Sequence, residues 1–183
     1  MSPIHIRTLT STELEADLGA FAKLLGDSIN HGASLGFVPP VTEAVMRDYW
    51  LSIRHELDHG ARLLTGAYLG PRLIGSGQLA FPRWTNGTHR AELQKLFVDP
   101  MVRAQGIGKR LLDALHDAAL QRGRSLLVLH TQSEEAAQRF YRDRGYRLAG
   151  MIPGYTRGAH GCAQNTWTLY RHLEGAATQA SGA

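Results

Sequence analysis

The stretch Arg90–Leu112, RAELQKLFVDPMVRAQGIGKRLL, decides the fold of this chain. Its first part, Glu92 to Val98, is rich in strand-forming residues and stops at Asp99-Pro100. A short basic loop then leads through Gly106-Ile107-Gly108 into a segment with apolar residues at Ile107, Leu111, Leu112, Leu115 and Ala119, one face of an amphipathic helix. The order is strand, glycine loop, helix start.

That order suits an anion. The first turn of a helix has backbone N–H groups with no intrahelical partner and carries the positive end of the helix dipole. Gly106 and Gly108 lack the Cβ atoms that keep a phosphate away from such donors, while Arg103, Lys109 and Arg110 bring positive charge. Taken alone, glycines before a helix are turn formers as often as anion binders. Two phosphate-loop patterns are not met. The nucleotide-hydrolase loop requires G-x-x-x-x-G-K-[ST] and the dinucleotide fingerprint G-x-G-x-x-G, but Gly108 is followed by Lys109, Arg110 and Leu111.

The pattern that is met is R/Q-x-x-G-x-G/A, as Arg103, Gly106 and Gly108, and in it the chain resembles the GNAT N-acetyltransferases. The resemblance continues downstream. A buried-strand run Ser125 to His130, a helix carrying Ala137, Phe140 and Tyr141, and Gly145-Tyr146 opening a further strand look like the second half of the GNAT core. HGASLGF (His31 to Phe37), NGTHRAELQKLFV (Asn86 to Val98) and PGY (Pro153 to Tyr155) are most similar to the tabtoxin-resistance branch. The similar parts cover most of Ile4 to Leu173.

The resemblance implies acetyl-CoA as cosubstrate and a set of roles. The backbone N–H groups of Gln105, Gly106, Ile107, Gly108 and Lys109, with Arg103 beside them, are expected at the pyrophosphate. The backbone of Leu96, Phe97 and Val98 is expected along the pantetheine arm, as an added strand lies beside its partner, and Ser133 stands where many relatives use an asparagine near the cofactor. Tyr141, five residues before the Gly-Tyr pair, is the expected acid at the departing sulfur. Glu92, at the start of the central strand, is the expected base, directly or through a water, because an amine protonated at neutral pH must lose a proton before it attacks. His130 ends the neighbouring strand where the tabtoxin-resistance pattern carries an aspartate; a histidine accepts a proton but lacks fixed negative charge, which points to a different substrate. His31, Ser34, Phe37 and Tyr155 fall where the family borders its acceptor pocket.

The reaction implied is acetyl transfer from acetyl-CoA to the amine of a small molecule, amino-acid-like or a β-lactam toxin. Its alternatives are a protein or peptide N-acetyltransferase and a non-catalytic acetyl-CoA-binding sensor. GNAT domains often dimerise, so a homodimer belongs to the expectation.

Composition agrees with this class. The 183 residues suit one domain, 1–175, with a small polar tail at 176–183 expected to be frayed and flexible. The formal charge of +4 suits a polyanionic small ligand, and no run of five like charges suggests nucleic acid binding. Cys162 is the only cysteine, which excludes an internal disulfide and points to a reducing cytoplasm. The nine histidines show no metal-ligand spacing, so no metal is expected. No window holds the roughly 18 apolar residues of a membrane span, and the first residues lack a secretory apolar core.

Along the chain, Ile4 to Leu9 alternates as a strand, and Thr10 with Glu13 or Thr12 with Glu15 opens a helix striped by Leu14, Leu18, Phe21, Leu25 and Ile29. After a glycine- and proline-rich segment, Gly32 to Pro40, Thr42 caps a second helix with Val45, Tyr49, Trp50, Ile53 and Leu57 inward. Arg62 to Leu69 and Leu73 to Ala80 form a hairpin; Phe81 to His89 is a loop. The helix after Val98 is a crossover long enough to make Leu126 to His130 parallel to Glu92–Val98. A helix Glu134 to Arg144 capped by Ser133, then strands Tyr146 to Met151 and Thr166 to His172 joined by the loop GYTRGAHG, complete the reading. The fold class expected is α/β: a GNAT acyl-CoA N-acyltransferase fold, a mixed, mostly antiparallel sheet of about seven strands with helices on both faces.

Overall fold

A computed structural model describes residues 3–132, 135–158 and 161–174, with backbone alone at 135 and 136. Seven strands form one sheet: β1 (Ile4–Leu9), β2 (Arg62–Leu69), β3 (Arg72–Ala80), β4 (Arg90–Val98), β5 (Leu126–Gln132), β6 (Arg147–Arg157) and β7 (Ala163–His172). Their order is β1-β2-β3-β4-β5-β7-β6. Every neighbouring pair is antiparallel except β4 and β5, so the mixed, mostly antiparallel sheet of the sequence reading is present. The exception follows from α5 (Ile107–Gln121), which carries the chain from the end of β4 back to the start of β5.

Helices cover both faces because adjacent strand residues point opposite ways. On β2, Leu64 packs with the helices that precede it, and Leu63 packs with α5. Gly75 and Gly77 of β3 let α5 come close. A Cβ added there would stand 2.9 Å from the Leu111 side chain and 2.6 Å from that of Leu115. Leu111, Leu112 and Leu115 are fully buried, each contributing about 1.5–3 kcal/mol of transfer free energy.

The first expected helix is two. Thr10 and Glu13 form the capping box of α1 (Ser11–Ala16), and Asp17 ends it before α2 (Leu18–Asn30) begins. Asp17 accepts a hydrogen bond from the Tyr68 hydroxyl at 2.8 Å and lies 3.5 Å from Arg7, so its carboxylate is held by the sheet. The apolar stripe survives the break: Leu14, Phe21, Leu25 and Ile29 are fully buried. The second expected helix also divides, into α3 (Glu43–Ser52) and α4 (Arg54–Asp58), with Thr42 accepting from the Val45 N–H. This cap sets a phase that turns Val45 outward, 46% exposed, and buries Met46 in its place. Trp50 packs edge-on against Phe21 at 4.8 Å.

The sequence predicts a strand that ends at Met151 and a loop over GYTRGAHG. The strand instead runs to Arg157, with a register shift between Ile152 and Thr156 that absorbs Pro153 and Gly154, the latter at φ +61°. The last helix, α6, spans Glu135–Arg142. Ser133 and its expected cap, and the tail 176–183, lie outside the described residues. Among the described residues no helix is long and apolar enough to cross a membrane.

Candidate functional site

β4 and β5 pair from Arg90–Leu126 to Leu93–Leu129 and no further. On the opposite edge of β4, the two steps from Ser76 to Gln78 on β3 face three steps on β4, from Phe97 to Gln94. This bulge centres on Lys95, a non-glycine residue at φ +48°. Past Leu93 the strand bends out of register, and the edge it turned to β5 loses its ladder partner. A cleft of about 1140 Å³ opens there.

Glu92, Leu96, Phe97 and Val98 line the cleft from β4 and His130 from β5. The loop after β4 enters at one end. Ala104 and Gly106 are both left-handed, at φ +62° and +75°, and Gly106 is the N-cap of α5 with no side-chain cap bond. A Cβ at Gly106 would meet nothing within 4 Å, so its missing side chain faces open space. Gly108 differs: an added Cβ would meet the Phe140 ring at 3.5 Å and Val98 at 3.7 Å, so this glycine serves the approach of α6 to α5.

Arg103, Gly106, Ile107, Gly108 and Lys109 line the cleft; Gln105 is exposed and does not. The Arg103 Nε donates to the Val98 carbonyl at 3.4 Å, which folds its side chain along the loop. Lys109 pairs with Asp113 at 3.0 Å. The expectation that Arg110 charges the loop is corrected, because its guanidinium donates to the Ile4 carbonyl at 2.9 Å, on the first strand.

Tyr141 projects into the cleft from α6, packed between Phe140 at 5.1 Å and Tyr146 at 5.5 Å. Desolvation alone raises its phenol well above the ordinary tyrosine range, so the hydroxyl stays protonated. No described residue hydrogen-bonds it. Glu92 is half-buried, and its side chain makes no hydrogen bond or ion pair with a described residue. His130 is exposed, with Nδ1 3.1 Å from the Thr168 hydroxyl, and its ring stacks on Tyr155 at 6.5 Å.

The other end of the cleft is formed by the segment after α2. His31, Ser34 and Phe37 line it, and Tyr155 of β6 closes the side. His31 donates from Nδ1 to the Asp27 carbonyl at 2.7 Å, and Phe37 packs edge-on against Tyr49 at 5.5 Å. The structure thus brings together on one cleft all the expected site residues except Gln105 and the undescribed Ser133.

Phe140 and Lys95 are among the lining residues to which the sequence assigns no site role. Phe140, which the sequence marks only as a residue of the last helix, lies at the glycine of the α5 start. Lys95 sits inside QKLFV and by alternation carries no signal, because a lysine at positive φ has no turn signature in sequence. Among the described residues no group of three His, Cys, Asp or Glu side chains converges to hold a metal.

The model of the acetyltransferase (GNAT) family matches residues 29–146. An uncharacterized N-acetyltransferase from the hisH-hisA intergenic region of Azospirillum brasilense is 29% identical over 124 residues, 67% of this chain and 72% of that protein. A ribosomal-protein-alanine N-acetyltransferase from Brucella melitensis superposes with a TM-score of 0.75 at 22% identity, covering 92% of this chain and 99% of that one. A Salmonella typhimurium protein solved with its cofactor acetyl-CoA gives a TM-score of 0.75 at 17% identity over 99% of this chain and 100% of its own.

Proposed function

Since the chain belongs to the acetyltransferase (GNAT) family, whose acyl donor is acetyl-CoA, we propose that it acetylates the amine of a small, amino-acid-like acceptor, with Glu92 as base and Tyr141 as acid. The observation that carries this is the parting of β4 and β5, which puts both side chains and the Gly106 loop on one cleft.

The residues fit the cofactor on two counts. The uncapped start of α5 faces open space at Gly106, where the N–H groups of Gly106 to Lys109 receive a pyrophosphate. The unpaired edge of β4 at Leu96 to Val98 receives the amides of a pantetheine arm. Acetyl-CoA, when bound, supplies the acetyl thioester. Glu92 takes the proton that the ammonium form of the acceptor loses, the free nitrogen then bonds to the acetyl carbon, and Tyr141 gives a proton to the sulfur as the C–S bond breaks, the second proton shed by the nitrogen replacing the one Tyr141 gave. His130, tied to Thr168 and Tyr155, faces the acceptor as a second proton acceptor.

The acceptor is small because the segment from His31 to Val38 and the β6 residues Tyr155 to Arg157 border the same cleft, which favours a molecule over an extended peptide. The likeness of His31–Phe37 to the tabtoxin-resistance branch supports an amino-acid-like or β-lactam acceptor. The exposed Leu148, Met151 and Ile152 on edge strand β6 support a homodimer, and the exposed lone Cys162 supports a reducing cytoplasm.

The test is a screen of small amines, with tabtoxinine-like β-lactams included, for acetyl-CoA-dependent release of CoA. With an accepted amine, Glu92→Gln lowers kcat/KM by about 10²- to 10³-fold below the amine's own pKa and recovers above it. Acetyl-CoA binding without turnover of any acceptor, peptides included, makes the chain a sensor; wild-type activity in Glu92→Gln removes Glu92 as the base.

A further inference from the structure

We propose that Lys95 binds the carboxylate of the acceptor, so that the enzyme selects amines that carry an acid group close to the nitrogen. This rests on the reading of the cleft as an acetyltransferase site and names its substrate class.

In an unbroken strand, residues three apart point to opposite faces, and Glu92 and Lys95 do not share a side. The bulge at Lys95, with φ +48°, re-aims its side chain so that both line the cleft. The ammonium stands over the rings of Phe37 at 5.4 Å and Tyr49 at 5.2 Å. A Cβ at Gly36 would come within 3.0 Å of Nζ, so the glycine there leaves the room the ammonium occupies.

This cation makes no ion pair with a described carboxylate. The nearby Arg62 does: its Nε donates to Glu56 at 2.7 Å and its Nη1 to the amide oxygens of Gln78 and Gln94, each at 2.7 Å. The one neighbouring carboxylate on the strand is Glu92, which the transfer reaction needs for the amine. Desolvation and the charge of Arg62 depress the Lys95 pKa against the opposing pull of Glu92, the condition of a half-buried cation with no carboxylate in ion-pair contact among the described residues. Aromatic faces hold a cation without neutralising it, so an incoming carboxylate gains a charge-assisted bond and restores what burial removed. With the carboxylate at Lys95, the amine of an amino acid falls to the Glu92 side of the cleft.

The experiment pairs each of a set of amino acids with its amide. Rates of acetyl transfer are measured with acetyl-CoA, and binding of the N-acetyl acids and N-acetyl amides to the CoA-loaded protein is measured by calorimetry. The wild type prefers the acid in at least one pair by about 10- to 100-fold, the usual size of a hydrogen bond to a charged group. Lys95→Gln abolishes that preference and Lys95→Arg keeps most of it. Each substitute is an L-residue, so the backbone cost at positive φ is the same and circular dichroism reports the fold. A preference that persists in Lys95→Gln, or a wild type that favours the acid in no pair, overturns the assignment. Acid-selective binding that depends on Lys95 but leads to no acetyl transfer leaves Lys95 as the carboxylate site and defeats the proposed function instead.

Discussion

The two ends of the cleft are built on different principles. The end at Arg103–Lys109 is made by backbone: a left-handed pair at Ala104 and Gly106, and a helix start without a side-chain cap. The end at His31–Val38 is made by side chains from separate places, with Phe37 from a loop and Lys95 from a bulge in β4, both packed on Tyr49 of α3. A backbone site recognises what any relative has in common, and its fit tolerates few residue types. A side-chain site can change its ligand one substitution at a time, which is where selectivity between acceptors resides.

The comparison breaks most sharply at Gly106. Gly106→Val forces a β-branched residue to φ +75° and fills the open space in front of α5, so acetyl-CoA affinity falls by about 100-fold or more in a calorimetric titration. Gly108→Ala, whose new methyl meets Phe140 at an ordinary 3.5 Å, costs far less. Equal losses in the two variants would show that the loop is a packing feature and carries no anion site.

Tyr141 sharpens the comparison from the middle of the cleft. Tyr141→Phe keeps the ring against Phe140 and Tyr146 and removes the hydroxyl proposed to act only as the sulfur departs, so kcat is expected to fall by about 10²-fold while acetyl-CoA affinity stays unchanged. Because burial holds the phenol protonated above its ordinary range, the wild-type rate shows no alkaline fall at the pH where an exposed tyrosine ionises. A lost cofactor affinity in the variant would move Tyr141 from the chemistry to binding.

The smallest effect lies behind the cleft. His116 of α5 lies 3.0 Å from the Tyr146 hydroxyl, and desolvation followed by the charge of Arg171 lowers its pKa from 6.5 to about 4. The unfolded chain takes up this proton at the higher pH and the folded chain at the lower, so stability is present above pH 6.5 and is lost as pH falls toward 4. His116→Asn flattens the slope of the denaturation midpoint against pH in that window without altering the acid limb of the rate. An unchanged slope would assign the acid sensitivity of the fold to other groups.

How much of this was legible follows from range. The glycine loop, the parallel crossover and the stripes of α2 and α5 depend on neighbours within a few residues, and periodicity and turn chemistry report them directly. The halving of the first helix was not legible, because Asp17 is held by Tyr68 and Arg7 from the sheet. Nor was the outward turn of Val45, where the Thr42 cap shifts the phase by one residue. The run to Arg157 in β6 was hidden because Pro153 and Gly154 read as a loop, while pairing with β7 carries the strand across them.

The sequence by itself determined the family signature at Arg103, Gly106 and Gly108, and the membership of the sheet, since each rests on local propensity and spacing. Only the tertiary structure decided what shares the cleft. The parting of β4 from β5 after Leu93 and the bulge that swings Lys95 onto the side of Glu92 arise from registers set by β3 on one edge and β5 on the other. A strand's pairing is a contact between distant segments, and no pattern within Glu92–Val98 records which of its residues will be left without a partner.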